Sequence, residues 1–214
     1  MNVRCRFQIL GMGLRLPNSE IVYSFLHLLC TKQTSILPLF CNFEFTKITA
    51  MESSFRLREA IDQEDYNWVV KRHGQLYLEE YNWNSDFEDL VADIVAKFVA
   101  KHDSTRERCW IAEDLTTKDR LGCIFCVEKE SGIAQLRLLL VDPKGRGRGV
   151  GSTLVKECVR FAKEAGYSQM MLWTNHPLTT ARQIYEKVGF VEKSSEKHHS
   201  FGHDLNGQCL WKDL

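Results

Sequence analysis

The sequence predicts an α/β (α+β) domain with a mixed central sheet of about seven strands flanked by about four helices. Apolar residues recur with a helical period of about 3.6 residues in four places. Between them lie short runs rich in β-branched and bulky residues, separated by turn residues. The predicted order is strand, two helices, three strands, helix, strand, helix and two strands, and 214 residues suffice for one domain with its own core plus surplus chain.

The first half of the predicted domain holds a strand and two helices. Residues 55–60 alternate like a short strand, and residues 62–77 follow as a helical region in which Gly74 is a point of interruption. Ser85 and Glu88 have the capping-box spacing at the start of a second helix. The apolar residues of that helix share one face: Phe87, Leu90, Val91, Ile94 and Phe98.

The remaining elements are three hairpin-linked strands, a helix, a strand, a helix and a closing hairpin. Their predicted positions are, in chain order, residues 109–113, 121–128, 133–141, 150–165, 170–174 and 180–188, then a strand from residue 190 and another over 209–212. Gly166 and Gly189 provide the stops of the two helices, and Thr179 or Thr180 caps the second of them.

Composition excludes several classes of protein. Lys plus Arg and Asp plus Glu both number 28, so the net charge does not indicate a nucleic-acid or anionic-membrane partner. The best apolar run, residues 21–30, has about half the roughly 20 residues that span a bilayer. Eight scattered cysteines in a chain of this size are interpreted as reduced thiols, which favours a cytoplasmic protein.

A boundary is predicted at Met51. Residues 1–50 are poorly patterned and carry five basic and two acidic residues, whereas residues 51–214 have the periodicity of a folded domain. Three interpretations of residues 1–50 stay open: an organelle-targeting leader, a secretory leader, or a dispensable extension upstream of a working start at Met51. We expect this segment to be disordered or a leader.

Residues 145–151, Gly-Arg-Gly-Arg-Gly-Val-Gly, predict an anion site between a strand and a helix. Glycines let backbone amides converge on one point, and a helix N-terminus adds partial positive charge. Arg146 and Arg148 add charge suited to a pyrophosphate. The spacing matches neither the Walker loop nor the dinucleotide fingerprint, so a different phosphorylated cofactor is predicted. A glycine-rich turn without ligand is the alternative.

Two segments carry a resemblance to a known family. They are Leu139-Leu140-Val141-Asp142-Pro143 with Arg146 to Gly151, and residues 181–190, Ala-Arg-Gln-Ile-Tyr-Glu-Lys-Val-Gly-Phe. The first resembles the acetyl-CoA signature [R/Q]-x-x-G-x-[G/A] of the GNAT superfamily of N-acetyltransferases. The second resembles the family helix that carries a Tyr and ends in Gly-Phe. The resemblance covers residues 55–214 and implies the GNAT acyl-CoA N-acyltransferase fold.

A narrower resemblance involves four other segments: residues 71–74, 106–112, 172–175 and 198–205. They look like the acetyltransferase domain that in bacteria is often joined to a MarR-type winged-helix regulator. Fifty poorly patterned upstream residues are too few for that regulator, so no role in transcription is carried over.

The resemblance implies transfer of the acetyl group of acetyl-CoA, a cosubstrate, to a primary amine by direct attack in a ternary complex. The implied cofactor-binding residues are Leu139, Leu140, Val141, Arg146, Gly147, Arg148, Gly149, Val150, Gly151, Asn175 and Tyr185. Backbone amides of residues 138–141 would face the thioester. Tyr185 is the candidate general acid, its alternative being a half-buried aromatic with its hydroxyl tied to a carbonyl.

The general base is harder to place. Many relatives have a Glu on the strand before the phosphate loop, whereas residues 134–137, Ala-Gln-Leu-Arg, hold no carboxylate. Glu80 is the predicted catalytic base, with His73, Glu128 and an ordered-water route as substitutes. The family position seven residues before the Tyr, often Asn, is Leu178 here, and Asn175 takes the cofactor role instead.

The acceptor is predicted to be an amine, either a small molecule or a protein lysine. A set of aromatic residues in the acceptor region suits an apolar or aromatic amine: Trp68, Tyr77, Tyr81 and Trp83. Two alternatives stay open, a non-catalytic acyl-CoA sensor and an enzyme that uses another acyl-CoA. A homodimer is also left open.

No metal is predicted. Cys123 and Cys126 form a CxxC pattern within a strand, where an odd separation places the two thiols on opposite faces. A second group of potential ligands fits no common metal site and is interpreted as a solvent-facing or pocket-rim cluster: His198, His199, His203 and Cys209.

Overall fold

The computed structural model of the chain describes residues 54–214. The interpretations of residues 1–50 and of Met51 as a start therefore lie outside the described residues. Within residues 54–214, every helix is too short or too polar to cross a membrane.

The described residues form seven strands and four helices in the predicted order. The strands are β1 (Phe55–Glu59), β2 (Arg108–Asp114), β3 (Arg120–Glu130), β4 (Ile133–Val141), β5 (Gln169–Asn175), β6 (Val191–Ser200) and β7 (His203–Asp213). The helices are α1 (Gln63–Tyr81), α2 (Ser85–Lys101), α3 (Val150–Glu164) and α4 (Thr179–Val188). The α+β class, the mixed sheet and the element order are confirmed.

One sheet joins all seven strands in the order β1-β2-β3-β4-β5-β7-β6. Each neighbouring pair is antiparallel except β4 and β5, which run parallel and pair only from Ile133–Gln169 to Leu136–Leu172. Beyond Leu136, β4 is displaced from its antiparallel partner β3 by a bulge, where Leu138 has a positive φ of 52°. The two parallel strands therefore separate and open a gap in the sheet.

Each face of the sheet carries its own core. Helices α1 and α2 cover one face through Val69, Leu76, Val91, Val95 and Phe98, packed on Cys109, Ile111, Cys123, Phe125 and Leu140. Helices α3 and α4 cover the other, where Cys126 and Cys158 belong to the larger cluster. Cys123 and Cys126 thus lie on opposite faces, as their odd separation predicts.

Helix boundaries differ from prediction in identifiable ways. Gly74 does not interrupt α1; a Cβ there would meet the Glu88 carboxylate of α2 at 2.1 Å, so the glycine allows the two helices to pack closely. The capping-box assignment is wrong, because Asn84 is the N-cap and accepts from the Asp86 amide. Leu178 stands at the N-cap of α4, so neither Thr179 nor Thr180 caps it.

Candidate active site

The glycine-rich loop leaves the start of α3 open to a ligand. Asp142 caps a single 3-10 turn, Pro143–Gly145, by accepting from the Lys144 amide. Gly147 and Gly149 have φ values of 72° and 80°, which would cost an L-residue roughly 1–2 kcal/mol. A Cβ at either position would contact nothing within 4 Å. Gly149 is the N-cap of α3 and supplies no side-chain bond to its amides, so the loop fits an anion.

A cleft of about 320 Å³ extends from this loop between β4, α3 and α4, with α1 on its far side. Its walls include most of the predicted cofactor-binding residues: Leu139, Leu140, Val141, Arg146, Gly147, Gly149, Val150 and Gly151. One end is thus rich in backbone amides and the rest is largely apolar. The chain's residues fit a cosubstrate with a pyrophosphate and a long, mostly apolar arm.

The two arginines of the loop have different surroundings. Arg146 lines the cleft and binds Glu80 of α1 at 2.5 Å. Arg148 is not among the lining residues; its guanidinium binds Asp114 at 2.7 Å and the Ser54 hydroxyl at 2.7 Å. In the structure the Arg148 side chain anchors the loop to the end of β2, and its predicted cofactor role stays a prediction.

A second cavity of about 360 Å³ lies where β4 and β5 separate, under α1 and α2. It shares Tyr77 and Leu139 with the first cleft, so the two spaces meet beside the β4 bulge. Aromatic side chains form much of its wall: Tyr77, Phe87, Trp173, Tyr185 and Phe201. Of the four aromatic residues predicted for the acceptor region, only Tyr77 lines this cavity. Tyr81 lines the first cleft, Trp83 packs on Phe87, and Trp68 packs on the α1–α2 core.

Tyr185 lines the second cavity from α4. Its side chain is buried, and burial together with the nearby Tyr77 hydroxyl raises its pKa well above the ordinary 10. Among the described residues it forms no hydrogen bond to a carbonyl, although its ring contacts Phe190 edge-on at 6.0 Å. The phenol is therefore protonated at neutral pH and available to a ligand.

His73 of α1 is buried beside the same cavity. Its Nδ1 lies 2.8 Å from the Val69 carbonyl, which only accepts, so Nδ1 carries the proton. Nε2 has no hydrogen-bond partner among the described residues. Burial lowers the pKa of His73 to about 4, so the ring is neutral and Nε2 presents a lone pair.

The two carboxylate candidates for the base lie elsewhere. Glu80 lines the first cleft and is held by Arg146 at the phosphate loop. Glu128 is partly exposed and binds Arg106 at 3.0 Å. Neither lines the second cavity, whereas His73 does.

Asn175 ends β5 and is buried on the wall of the second cavity. Its Oδ1 lies 3.0 Å from Nε2 of His198, and His198 Nδ1 lies 2.9 Å from the Ser200 hydroxyl. The hydrogen-bonded chain fixes this side of the cavity. His198 thus lies at the pocket rim, as predicted, and among residues 54–214 no cluster of three or more His, Cys, Asp or Glu could hold a metal ion.

Several residues of the second cavity were not expected from the sequence. They are Phe87, Arg137, Trp173 and Phe201. Arg137 carried a usable signal, since it places a charge at a half-buried position within the mostly apolar strand Ile133–Val141. Phe201 carried none, because its place depends on the long hairpin of β6 and β7.

The family follows from comparison with known proteins. The model of the Acetyltransferase (GNAT) family matches residues 44–190. The chain belongs to the GNAT acetyltransferase family. The family's fold agrees with the seven-stranded sheet and four helices of residues 54–214.

Relatives of this GNAT protein differ in how much they share with it. It is 30% identical to an uncharacterized N-acetyltransferase of Schizosaccharomyces pombe over 139 residues, 64% of this chain and 80% of that protein. It is 34% identical to human N-acetyltransferase 8B over 65 residues, 30% of this chain and 29% of that protein. The chain thus spans most of the yeast relative but under a third of the human one.

Solved structures share the GNAT fold. An acetyltransferase of Salmonella typhimurium, solved with its cofactor acetyl-CoA, superimposes with a TM-score of 0.61 at 16% identity, covering 75% of this chain and 94% of that one. Spermidine N-acetyltransferase of Vibrio cholerae, solved with CoA and spermine, gives 0.57 at 18% identity, covering 75% and 96%. At these identities the likeness is one of fold.

Proposed function

We propose that the protein transfers the acetyl group of acetyl-CoA to a primary amine by direct attack in a ternary complex. The observation that carries the proposal is the meeting of two spaces at Tyr77 and Leu139. One space ends in an anion-binding loop, and the other holds a protonated phenol and an unpartnered imidazole nitrogen. Acetyl-CoA supplies an activated acetyl thioester, and the amine approaches from the opposite side.

The phosphate loop and β4 hold the cosubstrate in this proposal. Amides at the start of α3 and the Arg146 guanidinium bind the pyrophosphate, because both present donors to an anion. The pairing of β4 with β5 ends at Leu136, so residues 138–141 can offer backbone groups to the pantetheine arm and the thioester oxygen. Asn175, at the end of β5, flanks the same gap and stays a candidate for the arm.

His73 takes the base role, in preference to Glu80. The amine enters as the free base and donates a hydrogen bond to His73 Nε2, which aims the nitrogen lone pair at the acetyl carbonyl carbon. As the C–N bond forms, the nitrogen becomes acidic and its proton moves to Nε2. The lowered pKa of about 4 keeps the ring neutral and able to accept a hydrogen bond at neutral pH. It also makes His73 too weak a base to deprotonate an ammonium ion in the ground state, which is why the amine enters as the free base.

Tyr185 acts on the leaving group. As the C–S bond breaks, its hydroxyl donates a hydrogen bond and then its proton to the CoA sulfur. The phenolate recovers a proton through the cavity from the protonated His73. The net reaction converts amine and thioester to amide and thiol, with every proton accounted for.

The experiment is a thiol-release assay on the full chain with a panel of amines, beside calorimetric binding of acetyl-CoA. Arg146→Gln is the test variant. Arg160→Gln is its matched control, since Arg160 binds only Glu157 and Glu164 on the exposed side of α3. Binding weakened only by Arg146→Gln, with amine-dependent thiol release, supports the enzyme. Binding without release above buffer for any amine supports the sensor alternative instead.

Finer assignments belong to the same proposal. Spermidine, the substrate of the Vibrio cholerae enzyme that shares this fold, supports a small-molecule amine. A protein lysine is tested by adding it to the amine panel, and another acyl-CoA by replacing acetyl-CoA in the assay. Residues 51–214 are proposed to form the acetyltransferase domain, similar to the one joined to MarR-type regulators. The cysteines of the described residues are free thiols, which supports the proposal of a cytoplasmic location. Dimerisation is left to a sedimentation measurement.

A further inference from the structure

Arg137 differs from every other arginine of residues 54–214. The other ten each form a salt bridge with a carboxylate of the protein. Arg137 is half-buried on the wall of the second cavity, and no ion pair or side-chain hydrogen bond is formed by its guanidinium within the described part of the chain. Burial lowers its pKa, which shows that its charge is poorly solvated.

The nearest acidic group does not satisfy Arg137. Asp93 of α2 influences its charge but binds Lys97 at 2.5 Å, and no Asp93 oxygen lies within 4.0 Å of the guanidinium. The described residues that line the second cavity include no Asp or Glu. An unpaired, partly desolvated cation destabilises the folded protein unless a negatively charged partner binds it. The cavity therefore offers an unpaired positive charge to a negatively charged ligand.

We infer that the acceptor amine carries a carboxylate, which Arg137 binds, so that the substrate class is an amino acid or a similar amino carboxylate. This rests on the proposed function. A guanidinium binds a carboxylate through two parallel hydrogen bonds and balances its single charge. A phosphate monoester carries about 1.5 to 2 negative charges at pH 7 and would exceed what one guanidinium neutralises.

A second observation in the cavity indicates where the amine lies. His73 Nε2, on α1, is a buried acceptor without a partner among the described residues, and His73 lines the same cavity as Arg137 of β4. One ligand with a carboxylate at Arg137 and an N–H at His73 satisfies both groups at once. The aromatic wall formed by Tyr77, Phe87, Trp173 and Phe201 favours an apolar or aromatic side chain on that ligand.

The arrangement also disfavours two other acceptors. A polyamine would bring further positive charge to a cavity that already holds an unpaired cation. A lysine within a protein offers its amine at the end of a chain whose own carboxyl group is in a peptide bond. Neither would supply the partner that Arg137 lacks.

The test compares amines in matched pairs on the full chain, by acetyl-CoA-dependent thiol release. Each amino carboxylate is paired with the amine that lacks the carboxylate: phenylalanine with phenethylamine, and leucine with isoamylamine. Phosphoethanolamine and spermidine are added as probes of a phosphate and of a polycation. We expect at least one amino carboxylate to exceed its partner, phosphoethanolamine and spermidine in kcat/KM by about tenfold or more.

Variants then assign the preference to Arg137. Arg137→Gln should reduce the ratio of kcat/KM within the preferred pair to near one, mainly through KM, and Arg137→Lys should restore part of it. Arg160→Gln should keep the wild-type ratio. Circular dichroism and acetyl-CoA affinity equal to wild type show that Arg137→Gln is folded with its cofactor cleft intact.

Failure of the inference is distinct from failure of the proposed function. Turnover with equal or better use of the amines that lack a carboxylate overturns the carboxylate site, as does a preference for phosphoethanolamine or spermidine. Acetyl-CoA binding with no turnover of any probe contradicts the inference and also supports the sensor alternative to the proposed function. Absence of both acetyl-CoA binding and turnover in the folded chain overturns the acetyltransferase proposal itself.

Discussion

Glu80 of α1 and Arg146 of the phosphate loop form an ion pair with a nitrogen–oxygen distance of 2.5 Å at the first cleft. Both side chains are partly exposed, so the pair itself contributes little to stability. The position of the pair matters more, because the guanidinium proposed to bind the pyrophosphate is already bound to a carboxylate of the opposite wall of the cleft. We therefore expect Glu80 to compete with the cosubstrate for Arg146.

Substituting Arg146 and substituting Glu80 should change the affinity for acetyl-CoA in opposite directions. Arg146→Gln removes a charge-assisted contact to the pyrophosphate and should weaken binding about tenfold or more. Glu80→Gln frees Arg146 and should tighten binding, with kcat retained. Calorimetry and steady-state kinetics check both results. A large loss of kcat in Glu80→Gln at unchanged affinity would return the base role to Glu80.

Removing the Tyr185 hydroxyl should slow catalysis without weakening the binding of acetyl-CoA. Tyr185→Phe keeps the ring contact with Phe190 and deletes the proposed acid, so kcat should fall about a hundredfold. Because burial raises the pKa of Tyr185 above 10, the wild-type rate should not decline from loss of this proton below about pH 10. A kcat within twofold of wild type would exclude the acid role.

His73 should make the folded chain less stable at acid pH. Its pKa is lowered from 6.5 to about 4 in the folded chain, so the unfolded chain binds the extra proton between those values. The contribution of neutral His73 to the free energy of unfolding is fully present above about pH 6.5. It is lost as the pH falls towards 4, and the free energy of unfolding then decreases by about 3 kcal/mol in all. Urea unfolding near pH 7.5 and pH 4.5 should show a smaller acid-induced loss for His73→Gln than for wild type. Equal losses in both proteins would argue against a neutral buried ring.

Two glycines of the phosphate loop should respond differently to alanine. At Gly149 the Cβ meets open space, so the cost is the positive φ alone, roughly 1–2 kcal/mol. At Gly145 the Cβ would lie 2.7 Å from the Leu121 carbonyl oxygen, which forces the loop away from β3. Thermal unfolding should show the larger loss for Gly145→Ala, together with weaker acetyl-CoA binding. The opposite order would contradict the packing described for the loop.

The fold was predictable because its signals are local. Helical periods, turn glycines and the anion loop each lie within about 20 residues, and they determine the element order without knowledge of tertiary contacts. The capping residues were assigned wrongly because Asn84 and Ser85 both suit an N-cap, and only the backbone angles decide between them.

The sequence indicates individual residues of both spaces, but only on the cofactor side does it indicate how they are arranged. Arg146 and the loop glycines are adjacent in sequence, whereas the second cavity joins His73, Arg137, Asn175 and Phe201 from one helix, two strands and the β6–β7 turn. The helical pattern of α1 does not reveal that His73 Nε2 lacks a partner, since this depends on its bond to Val69 and on the residues across the sheet.

The short parallel pairing of β4 with β5 affects how the substrate preference of such a protein can change by mutation. Four residue pairs, ending at Leu136 and Leu172, join the antiparallel strands on one side to the C-terminal hairpin on the other. Both leucines are core residues remote from solvent. Substitutions there would alter the width of the gap that both ligands are proposed to occupy, so substrate preference could change through core mutations that never contact a substrate.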